Sequence, residues 1–389
     1  MLRSLYSGIS GLRSHQTMLD VTGNNIANVN TTAFKSSAVR FQDTLSQMTQ
    51  GAGAATELQG GTNPAQIGLG VQVAGISTNF TQGSTQSTGK STDMMISGDG
   101  FFVVTRGGET QYTRAGAFDF DSAGRLVTAD GGIVQGWAAV NGVVPVSGGV
   151  GPVTLPLTSM AAAVETTAAG VTGNLPSDAA TGQTYVRDIE VFDETGAART
   201  VTLNFEKTAA GWDVDAADGA TVGSGSLAFT NGLLTGGGTL AVGGITFDFT
   251  ALTGYAELAT VSVTSQNGRE AGSLQSYSMS SDGTLMGSYS NGTTQPLARI
   301  ALATFTNPGG LEKVGGTAYR ASINSGEARY GTPGADGLGQ LVGGALEMSN
   351  VDLSAEFTNL IVAQRGFQAN ARIITTSDEV LQELTNLKR

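Results

Sequence analysis

Two stretches at opposite ends of this chain carry the same apolar rhythm, and any fold it adopts has to give both of them a helical partner. Phe357, Leu360, Gln364, Phe367, Ala371, Ile374, Asp378 and Leu381 recur in alternating steps of three and four, the spacing of a coiled-coil seam. At the other end Leu2, Leu5, Ile9, Leu12, Gln16 and Leu19 keep the same step, and Ile26 lies one heptad further on. Ile361, Val362, Ile373, Val380, Leu384 and Leu387 fall off the C-terminal seam, so one helix pair alone leaves apolar surface uncovered. The ends are therefore expected to order against neighbouring copies.

Little between the ends has helical periodicity. Glycine fills 57 of 389 positions, apolar residues make up 40% and charged residues 13%, which predicts a β-rich body with frequent turns. Asn24, Asn25, Asn28 and Asn30 with Thr31 and Thr32 compete for helical hydrogen bonds, so the first helix is expected to end near them. A chain this long supports two or three cores. The expected fold class is mixed: mainly β, hairpin-rich, sandwich- or barrel-like outer domains, nested and discontinuous, over terminal α-helices pairing in a coiled-coil-like inner layer. The expected division is 1–32 with 351–389 as a helical assembly domain, 33–90 as an extended connector, 91–145 with 271–350 as a discontinuous β domain, and 146–270 as an inserted outer domain.

Charge and missing residue types narrow the chemistry. The net charge is −12, and residues 146–270 hold 13 acidic against 4 basic side chains, a balance that argues against nucleic-acid binding. With no cysteine and one histidine, His15, thiolate sites and multi-histidine metal cages are excluded. A serine nucleophile would have only His15 as an imidazole base, and no G-x-S-x-G elbow occurs. Asp119 with Asp121, and Asp213 with Asp215, read as hairpin-flanking acids beside glycine turns; a glycosidase pair or calcium ligands are the alternative. Residues 334–344, GADGLGQLVGG, lack the Lys-Ser/Thr of a phosphate loop and read as loop. No run of about 18 apolar residues marks a membrane span, and the first residues lack the apolar core and cleavage site of a secretory signal. No catalytic residue, metal or cofactor is expected.

The stretch NNIANVNTTAFK at 24–35, with Asn24, Asn25, Ala27, Asn28, Asn30, Thr31, Phe34 and Lys35, resembles the bacterial flagellar rod and hook family of axial proteins. So does SNVDLSAEFTNLIVAQRGFQANARIITTSDEVLQEL at 349–384, and so do ISGDGFFVV at 96–104, YTRAGAF at 112–118 and LVGGALEMSNVDL at 341–353. The nested order with its large insert is closer to the hook branch than to the rod branch. One departure is Ala33, where many relatives have glycine after the Thr pair. The resemblance implies a helical homopolymer, a tube walled by the terminal helices that transmits torque while bending. Gln364, Arg365 and Asn370 would set helix register there. Implied partners are further copies of the chain, the distal rod protein below, the hook-filament junction protein above, the hook cap during growth and the flagellar type III export apparatus, with residues 20–40 carrying an export or assembly cue. A stiff distal rod subunit, a secreted adhesin, and a carbohydrate-active enzyme using Asp213 and Asp215 are the competing readings.

Overall fold

The computed structural model describes residues 2–55, 60–140, 142–145, 148–156 and 158–386; the side chains of Leu2, Arg3 and Leu384, and all of Leu387, lie outside the described residues. Helix α1 spans Leu2–Ala27 and helix α2 spans Leu353–Asn386; the other regular elements are strands and one short 3₁₀ turn. Neither helix is long and apolar enough to cross a membrane. The chain divides into two compact units, 1–155 with 278–286 and 296–389, and 156–277 with 287–295.

In the first unit the two helices pack together, and α1 also rests on the hairpin Ser37–Asp43/Val71–Thr78. α1 ends at Ala27, within the asparagine-rich stretch expected to stop it. Asn28 bonds back to the Asn24 carbonyl at 2.9 Å, and Asn25 turns its amide to another segment instead of to its own helix. The β part of this unit centres on Phe101–Arg106, which pairs with Glu109–Thr113 on one side and with Ile133–Ala138 and Leu302–Thr304 on the other. Ala318–Arg320 extends the sheet beside Glu109–Thr113. Phe101, Phe102, Val103 and Val104 are all buried because both faces of that strand are covered. Phe101 packs with Phe80, Phe305 and Tyr319 on one side, and Phe102 meets Phe118 edge-on at 5.0 Å on the other.

The second unit holds a nine-stranded sheet in the order Thr184–Phe192, Ala198–Lys207, Trp212–Asp218, Thr221–Thr230, Leu233–Gly236, Ile245–Thr253, Ala168–Asn174, Ser262–Gln266, with Thr239–Val242 also paired to Ile245–Thr253. Its first and last strands lie alongside each other, so the sheet curls almost into a barrel around Trp212, Phe205, Phe247, Phe249, Leu203 and Val191. Alternation in strands 184–192 and 198–207 matches their burial, with Ile189, Val191, Val201, Leu203 and Phe205 inside. Asp121 and Asp193 sit in hairpin turns, where each accepts backbone N–H groups from the residues two and four further on.

Burial in the aromatic core of the first unit pushes the Tyr319 hydroxyl up to about 12, and that of Tyr112 higher still. In the unfolded chain tyrosine ionises near about 10. The folded state thus keeps protons that the unfolded state loses, so stability falls as pH rises from about 10 to 12. Urea unfolding of the first unit should weaken by about 1 kcal/mol per pH unit there for each such tyrosine, and Tyr319→Phe should remove its share of the slope.

Candidate assembly site at the paired termini

The two helices run antiparallel. Gly8 lies against Ile373, Ile374 and the Asn370 carbonyl, the His15 ring against Gly366, and Asn25 Nδ2 donates to Glu356 Oε1 at 2.9 Å. Residues 8, 11, 15 and 25 of α1 thus lie on the contact line, small and polar on the α1 side. A Cβ at Gly11 would stand 2.7 Å from the Asn370 side chain, and one at Gly366 would stand 2.6 Å from the His15 ring. Glycine at these positions lets the helices approach closely, and Ala363, fully buried, continues the line on α2. At the start of α2, Asp352 caps the helix by accepting the N–H groups of Ser354 and Ala355.

Directly beyond the helices lies a buried ionic site. Lys35 Nζ meets Glu347 Oε1 at 2.7 Å with neither side chain exposed, and it also donates to the Thr81 carbonyl at 2.7 Å. The same carboxylate oxygen accepts Gly83 N–H at 2.9 Å, and the Glu347 backbone carbonyl accepts Ala33 N–H at 2.7 Å. Arg114 stands 3.7 Å from the other oxygen, donates to the Gly98 carbonyl at 2.9 Å and lies over the Phe101 ring. One carboxylate therefore holds the segment after α1, the connector, the β sheet and the segment before α2. Burial pulls Lys35 below the usual lysine range, and the Glu347 carboxylate at 2.7 Å opposes that shift. Two asparagines complete the junction. Asn25 bonds both backbone groups of Ser37, and Asn350 accepts Ser36 N–H while donating to the Asn79 and Thr81 carbonyls.

Ala33 stands at φ 58, fully buried. That conformation costs an alanine about 1 to 2 kcal/mol; its Glu347 hydrogen bond and buried methyl hold it there. Glycine would take the same turn without strain.

Three family models cover these regions: "Flagella basal body rod protein" at residues 5–35, "Flagellar hook protein FlgE/F/G D1 domain" at 95–172, and "Flagellar basal body rod FlgEFG protein C-terminal" at 342–387. The flagellar hook protein FlgE of Borreliella burgdorferi is 40% identical, with 100% of both chains covered. The chain belongs to the flagellar hook and rod family. On its hook branch, FlgE of Salmonella typhimurium is 37% identical over 99% of this chain and 100% of its own. A rod-named relative, the flagellar basal-body rod protein FlgG of Bacillus subtilis, is also 37% identical with both chains fully covered.

Family membership gives the placement of each expected residue its meaning. Asn25 and Lys35 are buried in the junction, while Asn24, Asn28, Thr31 and Phe34 line a cavity of about 490 Å³ beside the β sheet. Ala27 and Asn30 are exposed. On α1, Leu5, Ile9, Leu12, Leu19 and Ile26 are half-buried and off the glycine line; the Leu2 side chain lies outside the described residues. On α2, Leu360, Asn370, Ala371 and Ile374 are half-buried, whereas Phe357, Gln364, Arg365, Phe367 and Leu381 face outward. The periodic apolar seams thus coincide only in part with the line along which the two helices of one chain touch: Ile374 lies over Gly8, whereas Phe357, Phe367 and Leu381 face outward. Glu347, Arg114, Asn350, Gly8, Gly11 and Gly366 had no role in the sequence reading. Glycines three apart on a helix were the available signal for the contact line; nothing local marks Glu347 as the partner of Lys35.

Glu347→Ala leaves a buried ammonium and the Arg114 guanidinium without their carboxylate and should cost about 3 to 5 kcal/mol in urea unfolding, whereas Lys35→Met with Glu347→Leu, which strands Arg114 alone, should cost less. A single loss no larger than that of the double variant would show that the pair is not what closes the junction. Gly366→Val should separate the helices, raising amide exchange in 8–22 while the β units melt as before.

Proposed function

We propose that this chain is the subunit of the flagellar hook, polymerising into a curved tube that carries torque while bending. One observation supports it above the rest: both helices leave large apolar side chains uncovered within a single chain. Phe357, Ile361 and Val362 are 52%, 50% and 54% exposed, and Tyr6 of α1 is 67% exposed. Such a surface is costly in water and is removed by burial against further copies at roughly 25 cal/mol per Å². In this reading the seam residues Leu2, Leu5, Ile9, Leu12, Leu19 and Ile26 with Phe357, Leu360, Phe367, Ala371, Ile374 and Leu381 form the wall of the tube. Gln364, Arg365 and Asn370 fix its register, and residues 156–277 form the outer layer.

The same reading supplies the finer assignments. The chain leaves the cell through the flagellar type III apparatus without a cleaved signal, works outside the cell, and performs no catalysis. It stands on the distal rod protein, grows beneath a hook cap and receives the hook-filament junction protein. The four-part division at 32, 90, 145, 270 and 350 separates wall, connector and outer layers. A distal rod subunit is the second reading, favoured by the full-length rod-named relative; straight, stiff polymers of this chain would select it.

The test is a paired substitution on the outward face. Ile361→Asp with Val362→Asp should leave the urea midpoint of the monomer unchanged, because neither side chain is buried in it, yet abolish polymers in electron micrographs and motility in soft agar. Hydrogen exchange of 2–27 and 353–386 should slow by at least tenfold when the unaltered chain polymerises. Normal polymers from the paired variant would sink the wall assignment.

A further inference from the structure

The sheet of the second unit closes on itself without a ladder. Strand Thr184–Phe192 is hydrogen-bonded along its length to Ala198–Lys207 only, and Ser262–Gln266 to Ala168–Asn174 only, although the two strands lie side by side. In an antiparallel strand the N–H and C=O of one residue point the same way, and neighbours alternate. Phe192 N–H bonds outside its ladder, to Thr166, so Val186, Asp188 and Glu190 turn their backbone groups to the seam as well. Among the described residues two contacts bridge the seam. At one end Thr166, fully buried, exchanges two bonds with Phe192, N–H to carbonyl at 2.9 Å and hydroxyl from Phe192 N–H at 2.9 Å, while its hydroxyl donates to Gln266. At the other end Arg187 Nε reaches the Val261 carbonyl at 2.7 Å. A Cβ on Gly268 would lie within 2.8 Å of Thr166 N, so glycine there lets the Thr166 strand pass.

We propose that this seam is a built-in opening of the outer unit. Held by Arg187 and Thr166 and not by a backbone ladder, it parts before any ladder of the sheet does. Parting removes two bridges and an apolar edge contact, whereas separating strand 198–207 from either neighbour breaks a full ladder. The bulge at Gly170–Thr172, where pairing shifts register against both neighbours, puts a bend beside the seam at which the last strand can swing. Given the bending tube proposed above, this lets an outer unit change girth without unfolding as the tube flexes.

Single-amide hydrogen exchange on the full-length chain, kept monomeric by dilution, tests the opening whether or not the chain forms a hook. Amides of Val186, Asp188 and Glu190 should exchange at least tenfold faster than those of 198–207. Arg187→Met should speed exchange at Phe192 and 262–266 at least tenfold further and leave 198–207 and 212–218 unchanged. Seam-facing amides as protected as those of 198–207 would overturn the proposal, and so would an Arg187→Met effect spread equally over every strand. If Arg187→Met does not fold, Thr166→Val, which removes only the hydroxyl, is read by the same criteria.

Discussion

A lysine ammonium with no exposure is tolerable only beside a fixed counter-charge, and that requirement organises the first unit. The Lys35 side chain has no solvent exposure, so the carboxylate of Glu347 has to be brought to it across most of the chain. Meeting that demand places the segment after α1 against the segment before α2, which is where two helices must begin if they are to run side by side. Arg114 brings the β sheet to the same carboxylate, and Asn25 and Asn350 complete the backbone pairing around it. Hydrophobic burial alone would hold these pieces together in several ways. A pair of opposite charges in a dry site accepts few.

The helices that leave this junction invert the usual arrangement. Their mutual line is rich in glycine, alanine, asparagine and histidine, with Ile373 and Ile374 lying over Gly8, while Phe357, Ile361 and Val362 face outward. Such a line gives close approach and geometry but little burial, so the pair is guided within one chain and stabilised by whatever covers its outer faces. The β units differ. Each has an enclosed aromatic core, around Phe101 and Tyr319 in one and around Trp212 and Phe247 in the other, sufficient without a neighbour.

Local pattern made much of this legible. Steps of three and four announced both helices, alternation announced strands 184–192 and 198–207, and Asp and Gly turns announced hairpins, because each depends on residues close in sequence. The role of Asn25 was not legible, because it spends its amide on Ser37 and Glu356, partners that only the folded chain supplies. The contact line between the helices was hidden for a related reason: glycines at 8, 11 and 366 read as weak helix formers until the opposing ring or amide is in place. Arg114 and Glu347 look like ordinary charges on hairpin strands, and their burial is a property of the assembled junction.

The junction also has a place in time. Lys35 and its counter-ion are 312 positions apart, and a chain is made from its N-terminus, so Lys35 exists long before Glu347 does. Until nearly nine-tenths of the sequence has been delivered, closing the pocket around the lysine would strand a bare charge. The early segment is thereby held open by its own chemistry. An unfinished or partly threaded chain stays extensible at its leading end, and commitment to the native form waits for the last sheet strand before α2.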